Sequence, residues 1–351
     1  MKAPKIILLF ILSALLVIVF IVSAGNGALE IAPMQVISIL LHKMGFPVIT
    51  AFEPSQENVL WAIRLPRVLL GVLIGAGLAV SGASLQGLFR NPLADPTLIG
   101  ISSGASLCAV LMIVIISVSN VFGSITSIAG YYALNIFTFI GAGLAALAVY
   151  ALSRNGGRTM VTTMLLAGIA INALCGALTG LIIFYSTDEQ LRNVTFWMLG
   201  SLGGASWNTV FGVLPFILIP VLLLPRLSKS LNAFSLGEAE AGHLGVNADR
   251  LKIQVLAFST MAVGASVAVA GIIGFVGLVI PHILRLIAGP DNRFLLIASS
   301  ISGAILLSGA DVISRIIIAP AELPIGILTS IIGTPIFMWI LIKHQPQLKT
   351  I

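Results

Sequence analysis

The chain has 351 residues, of which 58% are apolar and only 9% charged, with a formal net charge of +6 and a mean hydropathy of +1.12. Soluble domains carry about 25% charged residues, so this composition excludes a soluble protein and places the chain in a membrane. Long unalternating apolar runs such as Ile6–Val22 and Val210–Leu224 exclude a transmembrane barrel, whose strands alternate with period two.

Backbone polar groups in hydrocarbon must be satisfied within the segment, so apolar stretches of about 20 residues read as helices. The expected fold is all-α, a polytopic membrane protein with residues 1–351 forming one transmembrane domain. In chain order the predicted spans are 6–24, 64–88, 98–117, 130–151, 161–185, 209–225, 253–272, 278–288, 294–316 and 325–342. The first follows Lys2 and Lys5 and ends near Ser23-Ala24-Gly25, the outline of a signal peptide. Its 17-residue apolar run is longer than the usual core of such a peptide, so it is read as a retained span. The eighth is too short to cross. Pro281 and the preceding Gly271, Gly274 and Gly277 predict a broken helix packed inside protein. Cys108 and Cys175 lie in apolar segments and read as packing residues.

Basic residues are retained on the cytoplasmic side of membrane proteins. With the N-terminus inside, Lys2, Lys5, Arg90, Arg154, Arg158, Arg226, Lys229, Arg250, Lys252, Arg285, Arg293, Lys343 and Lys349 are cytoplasmic, against Lys43, Arg64, Arg67, Arg192 and Arg315 outside. Both termini are then cytoplasmic, and the positive charge records this bias rather than nucleic-acid binding. The longest charged interruption, 226–252, holds seven of the chain's 18 basic and 12 acidic residues. Its core, Leu236 to Gly245, alternates helix formers with glycines, which predicts two short helices and a tight bend, a cytoplasmic handle.

An internal repeat shows at an offset of 189 residues: Gly75–Gly82 aligns with Gly264–Gly271, Pro92 with Pro281 and Gly100 with Gly289. With ten spans the two copies would run in opposite directions, the inverted arrangement of many transporters.

Several chemistries are missing. No lysine follows a glycine, so the chain has no phosphate-cradling Gly-Lys-Ser/Thr loop and cannot hydrolyse ATP by itself. The four histidines (His42, His243, His282, His344) are scattered, with no HExxH, which argues against a metal site or an intramembrane enzyme. Intramembrane ionisable groups are few: Asp311 with Arg315, and His282 with Arg285. An ion-coupled carrier usually carries more. That rival class predicts uptake under an ion gradient with no ATPase present.

Arg64-Leu-Pro-Arg67, the stretch Ser81-Gly-Ala-Ser-Leu-Gln-Gly-Leu-Phe-Arg-Asn-Pro-Leu-Ala-Asp-Pro96, Gly274-Phe-Val-Gly-Leu-Val-Ile-Pro-His-Ile-Leu-Arg285 and Ala321-Glu-Leu-Pro-Ile-Gly326 together resemble the permease family of type II ABC importers for iron chelates, haem and cobalamin. The resemblance spans nearly the whole chain. It implies a homodimer of permeases, two cytoplasmic ATPases that use ATP and Mg, an extracytoplasmic substrate-binding protein, and no cofactor or metal on this chain. It further implies that Arg64, Arg67 and Arg315 dock the binding protein, that Asn91, Leu93, Thr162 and Thr163 form a cytoplasmic gate, and that Gly237, Glu238, Glu240, Gly242 and Gly245 couple to the ATPase. Among substrates, Phe196-Trp-Met-Leu-Gly-Ser-Leu-Gly-Gly204 looks most like haem permeases, with cobalamin and ferric siderophores as the alternatives. His282 belongs to the general family pattern and so cannot mark haem by itself.

Overall fold

The computed structural model describes residues 3–27, 29–118, 127–155, 158–318 and 321–348. Lys2 and Lys349, used above for orientation, lie outside them. In chain order the elements are α1 (Ala3–Gly25), α2 (Pro33–Lys43), α3 (Pro54–Val59), a π-helical turn (Leu60–Arg64) and α4 (Leu65–Phe89). A short 3-10 helix (Pro96–Ile99) leads to α5 (Ile101–Val118) and α6 (Ile128–Leu152). A small antiparallel hairpin, β1 (Arg154–Asn155) with β2 (Arg158–Thr159), precedes α7 (Val161–Phe184), α8 (Asp188–Met198) and α9 (Trp207–Leu223). Then come α10 (Ser228–Phe234), α11 (Glu238–His243), α12 (Ala248–Ala270), α13 (Val276–Ala288), α14 (Asn292–Ile316) and α15 (Ile325–Leu348).

Among the described residues, eight helices are long and apolar enough to cross a membrane, and the apolar parts of α13 and α15 are shorter. These ten occupy the places of the ten predicted spans. The second span starts earlier than expected, because α3, the π turn and α4 run as one helix over Pro54–Phe89. A π turn absorbs one extra residue and rotates the helix beyond it, and this one ends on Arg64. The short helices α2, α3 and α8 fall between or ahead of the predicted spans and were not expected.

The centre of the bundle is α4, with 78% of its most apolar window buried, while α1 lies at the edge with only 6%. Around α4 pack α14, α12, α13 and α9. Glycine permits these approaches: a Cβ on Gly75 of α4 would lie 2.2 Å from the Gly303 carbonyl oxygen of α14. Likewise a Cβ on Gly104 of α5 would lie 2.5 Å from the Gly141 carbonyl oxygen of α6.

The break before α13 forms as the sequence predicts. α12 ends at Gly271 (φ 70°), and α13 restarts after Phe275, one of two non-glycine residues with positive φ (66°) among those described. Pro281 has no N–H for the Gly277 carbonyl four residues earlier, and α4 covers that spot with Gly82. The Gln86 side chain of α4 donates to the neighbouring Leu278 carbonyl at 3.1 Å.

The repeat also has structure. α4 and α12 are each followed by a short helix and then a long one, and Gly100 and Gly289 close the short helices at φ 82° and 84°. α4 runs from the cluster around Asp311 to the handle, and α12 runs from the handle back to the other end, so the copies are inverted.

Candidate docking, gate and coupling sites

At one end of the bundle the three predicted arginines are buried or nearly so. Arg67 on α4 forks onto Glu322 (Nη1 to Oε1 2.7 Å, Nη2 to Oε2 2.9 Å) and donates through Nε to Asp311 on α14 at 2.9 Å. Arg315 pairs with Asp311 at 3.1 Å and donates to the Ser23 and Asn26 carbonyls at the end of α1. Arg64 stands apart. Its guanidinium donates to the carbonyls of Ala24, Gly25 and Leu29, fastening the turn after α1. Arg67 and Arg315 thus share two carboxylates, and Arg64 caps a chain turn.

Asp311 is 1% exposed, so removing its charge leaves Arg67 and Arg315 facing each other in a dry site. Losing one member of a buried ionic group costs about 3–5 kcal/mol, an exposed pair about 0–1. Asp311→Asn is expected to lower the melting temperature of the detergent-solubilised protein far more than Glu322→Gln, whose side chain is 44% exposed. Equal shifts would refute this ranking. The hydrogen bonds from Arg67 hold the Glu322 carboxyl below its usual range. That half of the cluster is complete above the ordinary glutamate value, about 4.3, and is lost as pH falls through the lowered folded value.

The substrate-signature segment adjoins this cluster and acts as a junction. Ser201 N–H bonds the Ala270 carbonyl (2.9 Å), Ile325 N–H the Gly200 carbonyl (3.0 Å) and Gly326 N–H the Leu199 carbonyl (3.1 Å). The break after α12, the start of α15 and the loop after α8 are thereby locked backbone to backbone.

At the opposite end, Asn91 and Leu93 are half-buried after α4, and Thr162 and Thr163 lie in the first turn of α7. Asn91 Oδ1 accepts the Leu93 N–H at 2.9 Å, so the asparagine shapes its own turn. The handle holds two short helices, α10 and α11, bent at Gly237 (φ 134°), with Gly245 (φ 81°) closing α11 and open space around Gly242; only α11 falls within Leu236–Gly245, where both were expected, and α10 precedes it.

Glu240 is exposed, but Glu238 is tied down. It accepts from Lys252 Nζ at 2.6 Å, and that lysine is 0% exposed. Lys252 Nζ also donates to the Thr159 carbonyl, lies 3.6 Å from Asp249 and sits over the Phe234 ring. Sequence reasoning missed this residue, which resembles its solvated neighbours in composition. It also missed Leu236 and Leu244, which the handle exposes at 67% and 63%. Both leucines flank the exposed Glu240 on the handle.

A profile of the FecCD transport family matches residues 15–343 of this chain. The chain belongs to the FecCD transport family. It is 42% identical to the hemin transport system permease protein HmuU of Yersinia pestis, over 98% of this chain and 97% of that one. It is 39% identical to the cobalamin import system permease protein BtuC of Halobacterium salinarum over 82% of this chain and 74% of that one. Among solved structures it matches one described as a metal-chelate type ABC transporter in an inward-facing conformation, with TM-score 0.82 and 33% identity, covering 97% of this chain and 99% of that one. This FecCD chain is thus a multi-span ABC transport permease. Among its described residues no group of three or more His, Cys, Asp or Glu could hold a metal ion.

Proposed function

We propose that the chain is the permease subunit of an ATP-driven importer that carries haem across the bacterial cytoplasmic membrane by alternating access. The observation that carries this reading is the 42% identity, end to end, with the Yersinia pestis hemin permease. The handle supports the energy source: Leu236, Leu244 and Glu240 fit a cleft on a cytoplasmic ATPase, which would supply ATP and Mg chemistry this chain lacks. On this reading both termini and the handle face the cytoplasm and the arginine end faces outward.

A second copy of the chain completes the pathway. α7 supports this: it leaves Gly176 and Gly180 in open space, a Gly-x-x-x-Gly face suited to a close helix partner. Asn91, Leu93, Thr162 and Thr163 would then meet their counterparts across the dimer axis as the gate. On the outer face, Glu322 occupies Arg67 as an exchangeable partner, and an acidic side chain of the substrate-binding protein could take its place with Arg315 alongside. Such rim charges set orientation and on-rate more than affinity.

Cobalamin and ferric siderophores are the alternative cargoes, the former because of the Halobacterium salinarum relative. The test is uptake by proteoliposomes holding this permease, its ATPase and its binding protein, supplied with haem, cobalamin or ferric siderophores. ATP-dependent haem uptake is expected. Uptake of another cargo keeps the importer and removes haem, whereas uptake under an ion gradient without the ATPase removes the importer.

A further inference from the structure

A polar cavity of ≈ 520 Å³ opens at the handle end between the N-terminus of α1, the C-termini of α4 and α13, α10, and the N-terminus of α14. Three cationic side chains line it, Lys5, Arg90 and Arg285, against a single carboxylate, Asp291. That carboxylate accepts from Asn232 Nδ2 at 2.8 Å and from the Arg293 N–H at 3.0 Å, and its one charge offsets that of Lys5, leaving the two arginines in excess. The transport reading uses none of the three cations.

Arg285 shows what is missing. Its Nε and Nη2 are buried with no hydrogen-bond partner among the described residues. A buried guanidinium without acceptors is costly, and such groups in folded proteins are explained by a bound ion or water. Two neutral acceptors in the same wall are also unpaired: Gln86 Oε1, whose amide nitrogen is spent on Leu278, and Asn292 Oδ1, whose nitrogen is spent on Asn232. Arg90 reaches the cavity from a left-handed backbone (φ 50°) that ends α4, a position where glycine is the usual residue.

We infer that this cavity binds the headgroup of an anionic glycerophospholipid, its phosphate held by Arg285, Arg90 and Lys5 and its hydroxyls donating to Gln86 and Asn292. Guanidinium groups match phosphate oxygens through paired N–H donors, and the two amide oxygens require a ligand that also donates, as the hydroxyls of such a headgroup do. The lipid source follows from α1. Lys5 stands on the helix whose apolar surface is most open, so the mouth of the cavity adjoins acyl chains. Basic pockets between spans on the positively biased side of a membrane are a recurrent place for such headgroups.

The test uses the full chain, delipidated in detergent, with melting followed against added dioleoyl-phosphatidylglycerol, dioleoyl-phosphatidylcholine or inorganic phosphate. Phosphatidylglycerol is expected to raise the wild-type melting temperature in a saturable manner, as a ligand of the folded state must, and phosphatidylcholine to raise it less. In Arg285→Gln and in Arg90→Gln the concentration giving half the rise should increase about tenfold, the loss of one charge-assisted hydrogen bond. Arg90 is exposed at a helix end, so its variant folds even if Arg285→Gln does not. A rise with inorganic phosphate equal to that with phosphatidylglycerol, and weakened in Arg90→Gln, keeps the anion site and replaces the lipid by a free anion. No rise with either anion, or a rise that Arg90→Gln leaves unchanged, overturns the site.

Discussion

Gly82→Ala will prevent recovery of the folded permease, although it adds only one methyl group. The new Cβ would lie 1.9 Å from the Gly277 carbonyl oxygen, 2.5 Å from its carbon and 2.6 Å from its Cα. All three are backbone atoms of α13, so no side chain can swing away. Nor can α13 retreat easily, because the same crossing carries the Gln86 bond to Leu278 and because Phe275, at its N-terminus, presses on Gly333 of α15. Overpacking a tight core costs about 1–3 kcal/mol where side chains can adjust, and the cost here exceeds that range because two helices must part. Gly143→Ala on α6 is the control. Its site has no atom within 4 Å of the added Cβ, and alanine is favoured over glycine in a helix by about 1 kcal/mol. The readout is the yield of monodisperse protein after detergent extraction, expected to collapse for Gly82→Ala and to match wild type for Gly143→Ala. Wild-type yield and melting for both would show that α4 and α13 can separate at this crossing at little cost.

How much of this was legible beforehand depends on what holds each part. The ten spans were readable because bilayer solvation leaves a 20-residue apolar signature, and the break before α13 because Pro281 and three glycines are local signals. The arginine cluster was half readable. Asp311 and Arg315 are one helical turn apart, but the fork from Arg67 onto Glu322 joins residues 255 positions apart. No local pattern encodes that distance. The Leu199–Ser201 junction was invisible for a different reason: it is held by main-chain hydrogen bonds to Ala270, Ile325 and Gly326, and main-chain groups are the same in every sequence. The same segment that suggested haem by likeness therefore has a structural role sufficient to explain Gly200, which sits at φ 72° and where a Cβ would lie 2.7 Å from the Ile272 carbonyl oxygen.

The handle is gripped at two points, and the distinction between them bears on how it could transmit force. Asn232 on α10 binds Asp291 and the backbone and side chain of Asn292, which fixes α10 to the start of α14. Lys252 fixes α11, through Glu238, to α12 and to the hairpin that leads into α7. Thr159, its carbonyl partner, stands three residues before Thr162 and also donates its N–H to Asp249 at 3.1 Å. A push on α11 therefore reaches the first turn of α7 through one side chain.

Lys252→Met should cut that path while leaving the fold standing. Methionine preserves the apolar stem beside Phe234, which is 0% exposed, and removes only the ammonium. Its carboxylate partners are not stranded in a dry site, since Glu238 and Asp249 are 44% and 40% exposed and water can solvate them, and the one buried group that loses a donor is the neutral Thr159 carbonyl. Breaking an ion pair of this kind from the lysine side avoids the large penalty of an uncompensated buried charge. In the importer proposed above, the variant is expected to extract, purify and bind its ATPase like wild type, yet to import substrate at least about tenfold more slowly per ATP hydrolysed, a coupling loss of about 1.4 kcal/mol. The ratio of ATP hydrolysed to substrate moved, measured in proteoliposomes, separates this from mere instability, which lowers both together. Lys252→Arg, which keeps the charge and can reach Glu238 and the Thr159 carbonyl, should restore part of the ratio. An unchanged ratio in Lys252→Met would show that the handle drives α7 by another route, leaving the Asn232 contact to α14 as the remaining mechanical link.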